Sequence, residues 1–216
     1  MDENTLENSG DVQNRILIFA RAPRLGRVKT RLNKALPPDK VLDLHKRLLK
    51  HALANVMKVS GVQVELWVDE NPSDLFFEQL QTEFPEISIY LQAPGDLGAK
   101  MLHALSQSVD ERQASVIIGS DCPAIDSYYI QASLNALEDQ DLVIGPASDG
   151  GYVLIGTKHK SLPVFDGIDW GTEQVLQQTL QIAVQSDFRV RLMAELNDVD
   201  EPYDLGEAHR FGLLDV

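Results

Sequence analysis

Short apolar runs alternate with stretches whose apolar residues recur every three or four positions, and this alternation constrains the fold more than any other feature. Arg15–Ala20 reads RILIFA, a buried strand, and is followed by a loop carrying Pro23 and Gly26. After Pro37 and Pro38, the residues Val41, Leu44, Leu48, Ala52 and Val56 make one apolar stripe of a helix. The pattern continues with a strand at Val62–Val68, a helix at Leu75–Leu80, a strand at Ile87–Leu91 and a helix marked by Met101, Leu102, Leu105 and Val109. Ser115–Gly119 is a strand, and Ile130, Leu134 and Leu137 mark a helix. Leu142–Gly145 and Tyr152–Gly156 are strands, Val175, Leu176, Leu180 and Ala183 a helix, and Phe188–Leu192 a last strand. Strands separated by helices predict an α/β fold: a mostly parallel sheet covered by helices. The tight Asp149-Gly150-Gly151 link predicts that one part of that sheet is antiparallel.

Residues 15–216 read as one domain, since 216 residues suffice for one well-cored α/β unit and are few for two. The acidic, polar residues 1–14 read as a mobile tail. No apolar run reaches the roughly 20 residues that cross a bilayer. The single cysteine, Cys122, permits no internal disulfide, so a cytoplasmic location is expected. A net charge of −14 argues against a nucleic-acid groove, which requires a basic field. It leaves room for a small anionic ligand wherever cations cluster.

They cluster once, directly after the first strand. Arg21, Arg24, Arg27, Lys29 and Arg31 surround Gly26 in a strand-end loop, a pattern suited to seating phosphate. The Gly and Lys-Thr spacing is not that of a P-loop, and a solvated basic loop is the plain alternative. Asp121, just past the strand Ser115–Gly119, is placed to hold Mg²⁺ or Mn²⁺, or to cap a turn before Pro123. Asp198 and Asp200 lie two apart, on one side of an extended segment, and one of them could complete a metal site with Asp121. Asp200 and Glu201 equally suit a helix N-terminus with Pro202 in its first turn. Gly145–Tyr152 forms a second strand-end loop, in which Asp149 and Tyr152 offer a carboxylate and a hydroxyl, although a plain hairpin turn would also use Asp-Gly. Asp169 or Thr172 could cap the following helix and Trp170 could simply pack, but the position of the segment between a double-glycine strand and a helix reads as a flap over an acceptor. Cys122 reads as a packing residue, and the scattered histidines show no metal-ligand spacing.

Together, Phe19-Ala-Arg-Ala-Pro23 with Lys29-Thr-Arg-Leu32, Gly95-Asp-Leu-Gly98, Gly119-Ser-Asp-Cys-Pro123, Gly145–Tyr152, Asp169-Trp170 and Asp198-Val-Asp200 resemble the nucleotide-diphospho-sugar transferase superfamily, the GT-A fold. More narrowly, the chain resembles a bacterial family labelled glycosyltransferase and linked by name to arsenosugar biosynthesis. The resemblance runs from about Arg15 to Leu205. It implies a Rossmann-like three-layer sandwich and a metal, Mg²⁺ or Mn²⁺, on Asp121 with Asp200 as second ligand. It implies nucleotide or phosphate contacts from Arg21, Arg24, Lys29, Arg31 and Asp96, catalytic roles for Asp149 and Tyr152, and acceptor contacts at Gly150, Gly151 and Trp170. The partners implied are a nucleotide-sugar donor and a small-molecule acceptor; oligomeric state, a homodimer included, is left open. Nucleotidyltransferases of the superfamily often carry a glycine-rich first loop, which Ala20–Gly26 lacks. Its Lys29-Thr-Arg-Leu32 ending is nonetheless similar to that of the guanylyltransferase that activates phospholactate. A basic first loop suits a nucleoside triphosphate, so nucleotidyl transfer with release of pyrophosphate is the rival reading. A non-catalytic nucleotide-binding protein is the third.

Overall fold

The computed structural model describes residues 13–107, 113–160 and 162–214. The tail residues 1–12, and Val109 of the third helix stripe, lie outside the described residues. In chain order the elements are β1 (Asn14–Ala20), α1 (Pro38–Val56), β2 (Val62–Val68), α2 (Leu75–Glu83), β3 (Ser88–Leu91), α3 (Leu97–Ser106) and β4 (Ser115–Gly119). They continue with α4 (Ser127–Ala136), β5 (Leu142–Pro146), β6 (Tyr152–Thr157), α5 (Val175–Gln185), β7 (Val190–Leu192) and α6 (Leu205–Arg210). Short 3₁₀ turns occupy Thr30–Lys34, Pro163–Phe165 and Pro202–Asp204. Asn14 belongs to β1 rather than to the tail, and its side chain accepts a hydrogen bond from the Ala114 amide.

The seven strands form one sheet in the order β3-β2-β1-β4-β6-β5-β7. β6 alone runs antiparallel, against β4 and β5, as the Asp149–Gly151 link predicts. Ile16–Ala20 of β1 and Val116–Ile118 of β4 read as unbroken apolar runs because helices cover both faces of the sheet. Ile16, Ile18 and Ala20 enter the core under α1, α2 and α4, whereas Leu17 faces α3 and α5. β4 divides in the same way, Val116 and Ile118 against Ile117. The α1 stripe is wholly buried, and Pro38 opens that helix at a position where the missing amide is not needed.

One polar group interrupts the α3 side. Arg15, 3% exposed, forms a two-pronged pair with Glu65, with Nε and Nη2 each 2.8 Å from a carboxylate oxygen. The indole N–H of Trp67 donates to the same carboxylate, and Arg15 also reaches the Ala104 carbonyl and the Ser115 hydroxyl. With so many partners the pair ties β1, β2 and α3 together without leaving a buried charge unmatched. The chain runs outward from β1 to β2 and β3, then returns to β4 on the other side of β1. That reversal places a crevice beyond the carboxyl ends of β1 and β4.

Candidate functional site

A cleft of about 670 Å³ opens at that crevice, lined by the β1 loop (Ala20, Arg21, Val28–Arg31), Asp69, Gln92, Leu97, Lys100, Gly119–Asp121, His45, Asp198 and Asp200. Asp69 follows β2 and accepts the Ala22 amide at 2.7 Å, which fixes where the β1 loop departs. Gln92 follows β3 and donates to the Trp67 carbonyl. The carboxyl-terminal carboxylates arrive on an extended segment stitched along β5: Met193 N–H donates to Ile144, Leu196 to Pro146, and Val199 to Asp121, all through backbone carbonyls. This last bond sets Asp198 beside Asp121.

Two forces of opposite sign act on Asp121. Desolvation pushes its carboxyl up, but the Lys29 charge and hydrogen bond, at 3.1 Å, and the nearby His45 outweigh it, and the net direction is down. Asp198 goes the other way: burial, then repulsion from Asp121 and Asp149, push it up to about 6. Because the folded chain holds this proton more readily than the unfolded one, Asp198 favours folding below pH about 4, and that contribution disappears as the pH rises through about 6. Asp198→Asn is therefore expected to raise stability by about 1–2 kcal/mol at pH 7.5 and to leave it unchanged at pH 4, as read from thermal melts across that range.

The resemblance names Asp200 as the second metal ligand, and Asp198 and Asp200 both line the cleft together with Asp121. The Asp200 carboxylate is engaged by Arg31, whose Nη1 lies 2.7 Å from Oδ2, whereas Asp198 stands close enough to Asp121 for repulsion to raise its pKa; Val199 between them is buried. Among the described residues no three His, Cys, Asp or Glu side chains form a ready-made metal group. Two carboxylates nonetheless fit Mg²⁺ or Mn²⁺, which takes one or two protein oxygens and completes its shell with substrate phosphate and water.

The expected phosphate seat is also rearranged. Arg24 lies between Glu70 and Asp74, and Arg27 also reaches Glu70, so both anchor the loop to the β2–α2 connection. Lys29 is committed to Asp121, and Arg31 to Asp200 and Glu201. Arg21 remains exposed on the cleft wall with no ion-pair partner among the described residues. Lys100 of α3, which sequence reasoning passed over, also lines the cleft; its signal was a cation just beyond the Gly95–Gly98 motif. Asp96 caps α3 by accepting the Ala99 amide and does not line the cleft, because α3 needs that carboxylate at its N-terminus. His45 was also missed, although a histidine inside the apolar stripe of α1, between Leu44 and Leu48, was the sign to follow.

Asp149 is exposed at the end of β5, close enough to Asp198 to raise its pKa. The other members of that loop have structural duties. Gly150, at φ 87°, leaves its Cα against the α5 lead-in, where an added Cβ would lie 2.1 Å from the Glu173 carbonyl oxygen. Its own carbonyl accepts the Leu176 amide, and the Gly151 amide donates to Asp149. Tyr152 is turned away from the cleft into the α5 side, where burial pushes its phenol up and its ring meets Trp170 edge-on. Trp170 packs on Gly98, where an added Cβ would stand 2.7 Å from the indole. Neither Asp169 nor Thr172 caps α5 in the ordinary way: Gln174 precedes the helix without a side-chain cap, and Asp169 binds Gln178 instead. Cys122 is buried and its thiol is pushed up to about 12, which suits a packing residue rather than a nucleophile.

Residues 52–172 match the family model described as "Uncharacterized protein conserved in bacteria (DUF2064)". The chain belongs to the DUF2064 family. Among solved structures, a protein of Desulfovibrio desulfuricans G20 provisionally named a nucleotide-diphospho-sugar transferase is 33% identical to this DUF2064 chain. The alignment covers 91% of this chain and 86% of that one, at a TM-score of 0.82. The 4-diphosphocytidyl-2C-methyl-D-erythritol synthase of Anaerococcus prevotii DSM 20548 is 12% identical, covering 93% and 96% of the two chains, at a TM-score of 0.60. The inositol-1-phosphate CTP transferase of T. maritima is 16% identical, covering 94% and 95%, at a TM-score of 0.59. These last two share the fold. No curated protein matches the sequence. The DUF2064 chain thus has the nucleotide-diphospho-sugar transferase fold, and among its described residues no helix is long and apolar enough to cross a membrane.

Proposed function

We propose that this protein is a metal-dependent transferase acting on a nucleotide-activated donor, a nucleotide-diphospho-sugar. The observation that carries this reading is the grouping of Asp121, Asp198 and Asp149 beside two open cations, Arg21 and Lys100, at the carboxyl ends of the parallel strands. Asp121 and Asp198 hold Mg²⁺ or Mn²⁺, and the bound ion supplies charge neutralisation to a departing diphosphate. Arg21 and Lys100, which line the same cleft, bind the diphosphate. Asp149, on the open side of Asp198, orients the acceptor hydroxyl and takes its proton. Tyr152 and Trp170 hold the loop that carries Asp149 and do not touch the acceptor directly.

Nucleotidyl transfer from a triphosphate is the second reading, favoured by Arg31. Its guanidinium is 63% exposed, and its pairing with Asp200 is a surface contact worth less than about 1 kcal/mol, so it can turn to a third phosphate at little cost.

The test is a thermal-shift titration with nucleoside triphosphates and nucleotide-sugars, with and without Mg²⁺, followed by product analysis. A nucleotide-sugar should stabilise the chain in a metal-dependent manner and release nucleoside diphosphate on turnover. Pyrophosphate released from a triphosphate would establish the second reading instead, and metal-independent behaviour throughout would refute the metal assignment.

A further inference from the structure

Lys29 is the least ordinary residue of the cleft. It is a non-glycine residue in the left-handed region, at φ 44° and ψ 42°, and its side chain is 5% exposed. Nζ donates to Asp121 Oδ2 at 3.1 Å and to the Val199 carbonyl at 2.6 Å. The Val199 amide in turn donates to the Asp121 carbonyl, so one ammonium joins the end of β4 to the segment carrying Asp198. A lysine so enclosed differs from Arg21 and Lys100, which face the open cleft. A second observation lies on the same wall. His45, 4% exposed, gives its Nε2–H to the Arg21 carbonyl, and its Nδ1 is buried with no partner. Burial opposes protonation of that imidazole most, and the Lys29 charge lies close enough to oppose it further.

We propose that Lys29 is a built-in counter-cation, which holds Asp121 and the Asp198 segment in register and keeps free divalent metal out until a nucleotide brings it. The inference rests on the metal reading above and adds to it an order of events. A cation already in hydrogen-bond contact with Asp121 neutralises the carboxylate and repels a second cation approaching the same oxygen. A metal carried by phosphates arrives with its charge already offset, and so meets much less of that repulsion. The left-handed backbone at Lys29 fits this role, because strain of this kind persists where a side chain must be held at a particular point.

The test uses the full chain without nucleotide and Mn²⁺ as the only probe, with free Mn²⁺ followed by electron paramagnetic resonance. Lys29→Met removes the charge and should bind Mn²⁺ at least about tenfold more tightly than the wild type. Lys29→Gln, which keeps hydrogen-bonding capacity, should do the same and carries the test if the methionine variant does not fold. Lys29→Arg keeps the charge and should bind as weakly as the wild type, which a merely steric role would not produce. Adding Asp121→Asn to either neutral variant should abolish the gain. Neutral variants that bind Mn²⁺ no better than the wild type, or a gain that survives loss of Asp121, would overturn the proposal. If nucleotide and Mg²⁺ still stabilise the wild type together in that case, only this inference fails; if no variant shows any metal-dependent stabilisation, the metal reading fails with it.

Discussion

Asp121→Asn is expected to lower metal-dependent turnover by about 10²–10³-fold, the scale seen when a group stabilising developing charge is removed. The amide keeps the shape of the side chain but cannot offer a cation a charged oxygen. It also leaves the Lys29 ammonium, which is almost wholly buried, with the Val199 carbonyl as its remaining partner. A second effect is therefore expected: a stability loss of about 1–3 kcal/mol at neutral pH. This loss follows the sign of the Asp121 shift. A carboxyl whose pKa is lowered on folding stabilises the chain above its ordinary value of 3.8, and the contribution fades as the pH falls through the lower folded value. The difference between wild type and Asp121→Asn should accordingly shrink in acid. Nucleotide titrations with and without Mg²⁺ separate the two effects, since a purely structural loss would leave the metal-dependent part of the thermal shift intact. An undiminished metal-dependent shift in this variant would remove Asp121 from the site.

Gly150→Ala is expected to be the most disruptive of the glycine-to-alanine changes among the described residues. The added Cβ would meet the Glu173 carbonyl oxygen at 2.1 Å, and the carbonyl carbon and Cα of the same residue at 2.6 and 2.7 Å, with no flexible side chain able to give way. The backbone at φ 87° adds strain for any residue with a Cβ. Together these amount to a loss of more than about 3 kcal/mol, measurable by urea unfolding. The functional consequence follows from position. Pushing the lead-in to α5 away from Gly150 would break the Leu176 amide contact and displace the loop on which Asp149 stands. Activity is expected to fall even under conditions where the variant remains folded, whereas the affinity for nucleotide alone should change little. Gly151→Ala, whose Cβ would come no closer than 3.2 Å, to the Asp149 carboxylate, is the milder control.

Several positions could be read from single motifs, and others could not. The strand-end placement of Asp121 and Asp149 was legible because each follows an apolar strand, and strand ends are where open sheets place their ligands. The first loop was legible as a place but not as a set of free charges. Its cations are tied to carboxylates 46, 92 and 169 residues away, partners that no local spacing announces. Lys100 escaped notice because a cation on an exposed helix turn is commonplace in a sequence and meaningful only when a cleft lies beneath it. Tyr152 and Trp170 were read as ligand contacts because aromatic and hydroxyl groups beside a glycine turn serve that purpose equally well; only the packing of α5 shows that they face inward.

The sequence by itself determined the order and type of the elements, the antiparallel reversal at β6 and the strand-end positions of the basic loop and of Asp121. Periods of two and of about 3.6 residues are local properties, and the turns between them leave their own residues as markers. The pairing of Asp200 with Arg31, the carboxylate partners of the basic loop, and the burial of Lys29 and His45 were decided by tertiary structure alone. Each depends on which distant carboxylate or carbonyl comes within about 3 Å, and at that distance hydrogen-bond and Coulomb energies vary too steeply for position along the chain to predict them.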